Sequence, residues 1–260
     1  MAKSSWTKFP HADPAYAYEG AALKKAWARL HAGDREPFPE DSALQQAWRH
    51  YHAGDFQVAV EQGLALGGAG RNAAIKAQVI YATYLEATQA KKLKLFQEAM
   101  AWGEEAMAER PDDHNAHYLY ALAAGRYSQL TSVVKALTQG LGTKVRKALD
   151  AALELEPKHA DANIALGAWH AEVIGKVGAM VGKLTYGASR EAALKHYRQA
   201  IRLNPDSAIA RMEYANGLAL MFGEERMKEA EKLYAEAAKQ QPMDAMERLD
   251  VELAKEELEG

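Results

Sequence analysis

The chain's 260 residues are enough for one compact domain or a run of stacked repeats, and 48% hydrophobic with 26% charged is the balance of a folded protein. Thirty-two Lys and Arg against 35 Asp and Glu exclude binding to nucleic acid or membrane by overall charge. With no Cys there is neither a disulfide framework nor a thiolate site.

The amino-terminal stretch MAKSSWTKFPHADPAY lacks the apolar core of a secretory leader, and no run of 18 apolar residues occurs further along. A cytoplasmic location without a membrane span is therefore expected. Apolar residues recur with period 3.6 almost throughout, among Ala, Leu, Glu, Lys and Gln, so the predicted fold class is all-α. Breakers such as GGAG at 67–70, RPDD at 110–113, NPDS at 204–207 and QPMD at 241–244 divide the chain into about a dozen helices.

Two near-copies of one phrase come first, AWARLHAGD at 26–34 and AWRHYHAGD at 47–55. Each reads as the tail of a helix followed by a Gly turn. The first closes a lone helix in an amino-terminal segment, 1–40, that is expected to act as a cap. The second closes the first helix of the first full helix pair, whose turn is Gly54-Asp55. Next, GGAGRNAA contains Gly68-x-Gly70-x-x-Ala73, but a dinucleotide fingerprint needs a preceding strand, and here a helix precedes it; a linker is the better reading.

From there a pattern repeats: a compact residue, an aromatic or compact one four later, Ala three after that, and Pro five beyond. Ala193, Tyr197, Ala200 and Pro205 satisfy it, as do Ala230, Tyr234, Ala237 and Pro242. Ala99, Gly103, Ala106 and Pro111 are a looser copy, like Val145, Leu149, Ala152 and Pro157; Ala59, Gly63, Leu66 and Arg71 have lost the Pro. Small residues let paired helices approach, the aromatic fills the space between pairs, and Pro stops the second helix. Ten residues after each Pro stand Ala121, Gly167 and Ala215, compact as close packing requires.

On these residues the chain resembles the tetratricopeptide repeat (TPR), a helix–turn–helix unit of 34 residues. The resemblance implies an α-α superhelix of about five degenerate units over 41–242, with MDAMERLDVELAKEELE as a capping helix in 243–260, started by Asp244 and Glu247. The Pro-equivalent positions lie 40, 46, 48 and 37 residues apart, so two units carry extra length. NAHYLYALAAGRYSQLTSVVKALTQ and DANIALGAWHAEVIGKVGAMVGKLTY read as uninterrupted, elongated first helices of about 25 residues, together a projecting arm. LGAWHAEVIGKVGAMVGKLTYGASREAALKHYRQAIRLNP also resembles the regulator-of-microtubule-dynamics family and, more distantly, the periplasmic repeat partner of TRAP transporters. Aromatic residues usual on the elongated helix stop at Trp169, so this resemblance implies the shape and neither a microtubule nor a transport function.

In TPR architecture, positions two, five, nine, twelve and thirteen of each first helix line the concave groove. Here they include Leu44, Trp48, Tyr51, Gln78, Leu85, Tyr118, Leu122, Arg126, Ile164, Met212 and Asn216, an aromatic and aliphatic surface. Asp161, Ile164, Ala165 and Ala168 stand where a carboxylate clamp would place Lys, Arg and Asn. The groove suits the apolar face of a partner protein segment, or an apolar small ligand.

Charge is uneven, with 11 basic and 6 acidic residues in 130–205 against 7 and 14 in 206–260. Lys135, Lys144, Arg146 and Lys147 gather near one turn, and Lys176, Lys183 and Arg190 near the next, a candidate basic patch for an acidic protein or an anionic membrane. Aromatic residues do not interleave with these charges except Tyr186, so nucleic acid is not expected. The acidic end and basic arm make self-association between copies possible.

Metal and catalytic sites are not expected. His50 and His52 diverge on a helix, and His114 and His117 share a face without a third ligand. No Ser–His–Asp or paired-carboxylate arrangement stands out, so the expectation is a non-enzymatic adaptor without cofactor or metal.

Overall fold

A computed structural model describes residues 6–259. Its helices are α1 (Ala22–Leu30), α2 (Ser42–Ala53), α3 (Phe56–Leu66), α4 (Gly70–Tyr84), α5 (Gln89–Glu109), α6 (His114–Leu130), α7 (Val133–Thr138), α8 (Leu141–Leu155), α9 (Ala160–Val177), α10 (Ala179–Val181), α11 (Arg190–Leu203), α12 (Ala208–Phe222), α13 (Met227–Ala237) and α14 (Ala245–Glu259). No strand occurs among the described residues. Five hairpins, α2/α3, α4/α5, α6/α8, α9/α11 and α12/α13, stack so that the first helices pack side by side in an inner layer.

Local chemistry sets the helix ends. Side-chain oxygens of Asp41, Asp113, Ser189 and Ser207 accept from backbone amides of the first helical turn at 2.7–3.1 Å. Asp244 starts α14 in the same way, accepting from the Glu247 amide at 2.8 Å, while Glu247 reaches back to the Met243 amide at 2.8 Å.

The twin phrases do different things. Gly54 sits at φ 88° and lets the Asp55 amide close α2 on the His50 carbonyl at 2.8 Å. Gly33 instead takes an ordinary φ, and its missing side chain makes room for Asp161 of α9. No second helix follows it directly.

The repeated aromatic position explains the stacking. Tyr197 of α11 lies between Gly167 of α9 and Gly217 of α12; a Cβ on either glycine would meet its ring or hydroxyl at 2.9 and 2.6 Å. The ring stacks on Tyr214 at 5.1 Å between centroids.

The elongated helices are shorter than the sequence suggests. α6 has 17 residues and α9 has 18, and both are interrupted. Thr131 is extended, and Ser132 caps α7, which packs against α8. Gly178, at φ 81°, ends α9; the chain then forms α10 and a π-helical turn, Gly182–Tyr186, that returns to α9. The arm is thus two short folded-back turns, not a pair of continuous rods.

The largest departure is at the termini. α14 packs on α13 and α12 and also on α2, at the opposite end of the repeat array. Arg29 of α1 donates twice to Glu247, at 2.6 and 3.2 Å, and Tyr18 donates to the Met243 carbonyl at 2.6 Å. His52 is within 2.8 Å of Asp244, and the Tyr51 hydroxyl donates to Met246 Sδ at 3.0 Å. The two caps meet, and the superhelix is closed across part of its hollow.

Candidate functional site

Closure divides the expected groove residues. Leu44, Trp48 and Tyr51 are buried in one cluster with Trp27, Ala245 and Leu249, beneath the amino-terminal segment and α14. Met212 is covered by Val251 and Ala254 of α14. These four do not face an open groove, because the chain's own caps supply the apolar partner. Gln78 belongs to the α4/α5 interface, where its amide donates to the Leu95 carbonyl at 2.9 Å. Leu85 is half-buried just past the end of α4, and exposed Asn216 accepts from the Tyr234 hydroxyl.

Tyr118, Leu122, Arg126 and Ile164 come together. They line a cavity of about 180 Å³ whose walls include Val79 and Ile80 of α4, Ala165, Trp169 and Val173 of α9, and Leu141 and Val145 of α8. Ile209 of α12 and Met246 of α14 also line it, and Tyr186 comes from the π-helical turn. The lining is mostly aliphatic and aromatic. Most of its ionic groups are already engaged: Arg126 donates to Glu213 at 2.8 Å, Lys76 pairs with Asp34, and the Tyr84 hydroxyl donates to Asp250. Burial pushes the Asp161 carboxyl up to about 7, against the pull of Lys76.

A buried polar seam, unforeseen in the sequence, runs beneath this cavity. After α1, residues 31–36 cross the inner layer. The Gly33 carbonyl accepts from the Asp161 amide at 3.0 Å, and the Asp34 carbonyl lies 3.1 Å from His114 Nε2. Asp34 contacts both Lys76 and His31 Nδ1. Burial works against its charge, yet Lys76 holds its carboxyl well below the usual range. Glu36 accepts from Asn72 Nδ2 at 3.1 Å and Asn115 Nδ2 at 2.6 Å. Burial, with Asp34 and Asp113 nearby, pushes Glu36 up to about 8. Burial also lowers His31 to about 4 and His159 to about 3, which keeps both rings neutral. One sequence signal was available: Pro37 and Pro39 follow Glu36 and forbid a helix where two acids stand.

His50 and His117 make local contacts. His50 lies 3.2 Å from Asp55, and His117 Nε2 lies 2.7 Å from the Pro111 carbonyl. No group of three or more His, Asp or Glu placed to hold a metal occurs among the described residues.

The basic residues gather at the far end of α6 and α9, where Tyr186 lies against Gly142 and the Trp169 indole donates to the Gly142 carbonyl at 2.8 Å. Lys144, Lys147 and Lys183 are exposed, and Lys135 lies 5.5 Å from the Tyr127 ring centroid. Arg146 is tied to Asp150 at 2.8 Å, Lys176 to Glu172 at 3.2 Å, and Arg190 lies over Phe222.

Five stacked helix hairpins with this small–aromatic–small spacing define a TPR-like α solenoid. Among solved structures, the chain is similar to a thermophilic TPR protein of Thermus thermophilus, with a TM-score of 0.58 and 19% identity over 84% of this chain and 99% of that one. Residues 73–259 match the family described as regulator of microtubule dynamics protein 1-3, and the chain belongs to that family. No curated protein matches it in sequence. No helix among the described residues is long and apolar enough to cross a membrane.

Proposed function

We propose that the chain is a non-catalytic adaptor that holds a partner protein segment by an apolar anchor seated in the cavity between α4, α6 and α9. The observation that carries this reading is the size and chemistry of the uncovered part of the groove. About 180 Å³ of mostly apolar space is somewhat more than the roughly 150 Å³ that admits benzene. That suits one or two large side chains as anchors; a second, more polar hollow of about 520 Å³, lined by Arg126, Glu213 and Asn216, adjoins it. The groove's other end is occupied by α14 and residues 31–36, so the guest is restricted to the open stretch. Buried anchors of this kind dominate the affinity of many interfaces.

Ala165→Trp fills the cavity from the α9 wall and provides the test. Tagged wild-type chain is expected to capture a specific protein from lysate that the variant does not, at equal helicity by circular dichroism. Equal recovery by both, or recovery of nothing specific, contradicts the proposal.

A second reading, a carrier or sensor of an apolar small ligand, is favoured by the mostly aliphatic and aromatic lining, which offers a guest mainly apolar contacts. Native mass spectrometry before and after solvent extraction separates the two. A stoichiometric apolar molecule released from the purified chain selects the ligand reading, and its absence selects the protein segment.

A further inference from the structure

The end of the molecule formed by the turns after α6 and α9 exposes apolar surface found nowhere else on the described residues. Met180 is 74% exposed, Leu184 81% and Val181 46%. Other exposed large apolar residues, such as Val58, Leu155, Leu220 and Leu258, lie singly and at no more than 47%, as on ordinary surfaces. Met180 and Leu184 are four apart in one helical stretch, α10 and its π-helical continuation, so both project from the same side.

The charge around this apolar knob is one-sided. Residues 131–149 and 175–189 contain Lys135, Lys144, Arg146, Lys147, Lys176 and Lys183 and no Asp or Glu. Acids stand only at the rim. Asp150 engages Arg146, Glu172 engages Lys176, and exposed Glu191 feels the charge of Lys183. Lys183 lies within the knob's own helical stretch, and Lys144 and Lys147 follow Gly142, which faces the Tyr186 ring of that stretch; all three are exposed.

From this juxtaposition we infer that the tip docks on the surface of an anionic lipid bilayer, with Met180, Val181 and Leu184 entering the interface and the lysines held at the headgroups. Shallow apolar insertion and attraction to anionic headgroups are the two contributions that hold peripheral proteins on membranes. A second copy fits less well. Three side chains offer roughly a few hundred Å², against about 800 Å² that each partner buries in a stable protein interface. The inference does not depend on what occupies the cavity.

Vesicle flotation with the full chain tests it, using phosphatidylcholine alone and phosphatidylcholine with about one third phosphatidylserine. The chain is expected to float only with the anionic vesicles. Binding should fall at least about tenfold in Met180→Ser/Leu184→Ser and in Lys144→Glu/Lys183→Glu, and be lost at about 1 M salt, where screening acts within about 3 Å. All four side chains are exposed, so unchanged unfolding midpoints are expected to show that the variants fold. Three results overturn the inference. One is no flotation with either vesicle, and another is flotation that neither pair of substitutions weakens. The third is concentration-dependent dimerisation, lost in both variants, in a chain that ignores vesicles.

Discussion

At the scale of single residues, Tyr197 and Glu36 show how differently two side chains can depend on their surroundings. Tyr197 sits at a repeated position and is held between two glycines, so its role follows from local spacing. Gly217→Ala would place a methyl 2.6 Å from its hydroxyl, and roughly 1–3 kcal/mol of destabilisation in urea unfolding is expected. Unchanged stability would mean that the ring moves aside freely. Glu36 has no repeat to announce it, and its behaviour comes from burial beside Asp34 and Asp113. Its folded pKa, about 8, is raised, so the folded chain keeps a proton that the unfolded chain releases near pH 4.5. The resulting stabilisation is complete below that unfolded value and lost as pH rises through the folded one. Asp161, raised to about 7, acts in the same direction. His31 and His159 are lowered and act oppositely, but only below the ordinary histidine value of 6.5. Stability is therefore expected to decline between about pH 6.5 and 8, by at most about 1.4 kcal/mol per unit for each carboxyl. Thermal midpoints of Glu36→Gln across that range should decline less; an identical slope would remove Glu36 as a cause.

At the scale of elements, caps and turns were legible because their chemistry is local. Gly54, Pro205, Ser207 and Asp244 act within a few residues of themselves, and the helix ends fall beside them. The lengths of α6 and α9 were not legible, since apolar periodicity continues through Thr131 and Gly178 while the backbone does not. Gly178→Ala forces a residue with a Cβ into a backbone region (φ 81°, ψ 157°) that essentially only glycine adopts and should cost roughly 1–3 kcal/mol. Hydrogen exchange should speed up first in 178–187; no change there would show that the turn tolerates Ala. α14 does more than cover the last hairpin, because Asp244 both starts it and meets His52. Asp244→Ala removes a helix cap and strands a buried ring nitrogen, for about 2–4 kcal/mol in all. Arg29→Ala, at a partly exposed ion pair, should cost much less. Equal losses in urea unfolding would mean that the seal is electrostatic.

At the scale of the whole molecule, contact between α1, α2 and α14 converts an open stack into a closed array. An open solenoid loses its end units independently, whereas here the first and last elements protect each other. Removing residues 1–38 should therefore loosen α14 as well as α2, detected as faster amide exchange in 245–259. Slow exchange there after truncation would show that the two ends fold separately.

Sequence alone determined the helical class, the hairpin pairing and most helix boundaries, because period, caps and small-residue spacing act over neighbouring turns. Four of the eleven expected groove residues, Tyr118, Leu122, Arg126 and Ile164, line the cavity. Only the tertiary structure decided that Leu44, Trp48, Tyr51 and Met212 are covered and that Asp34 and Glu36 are buried. An apolar face reads the same in sequence whether a partner or the chain's own terminus covers it, and only distances between residues some 200 positions apart distinguish the two.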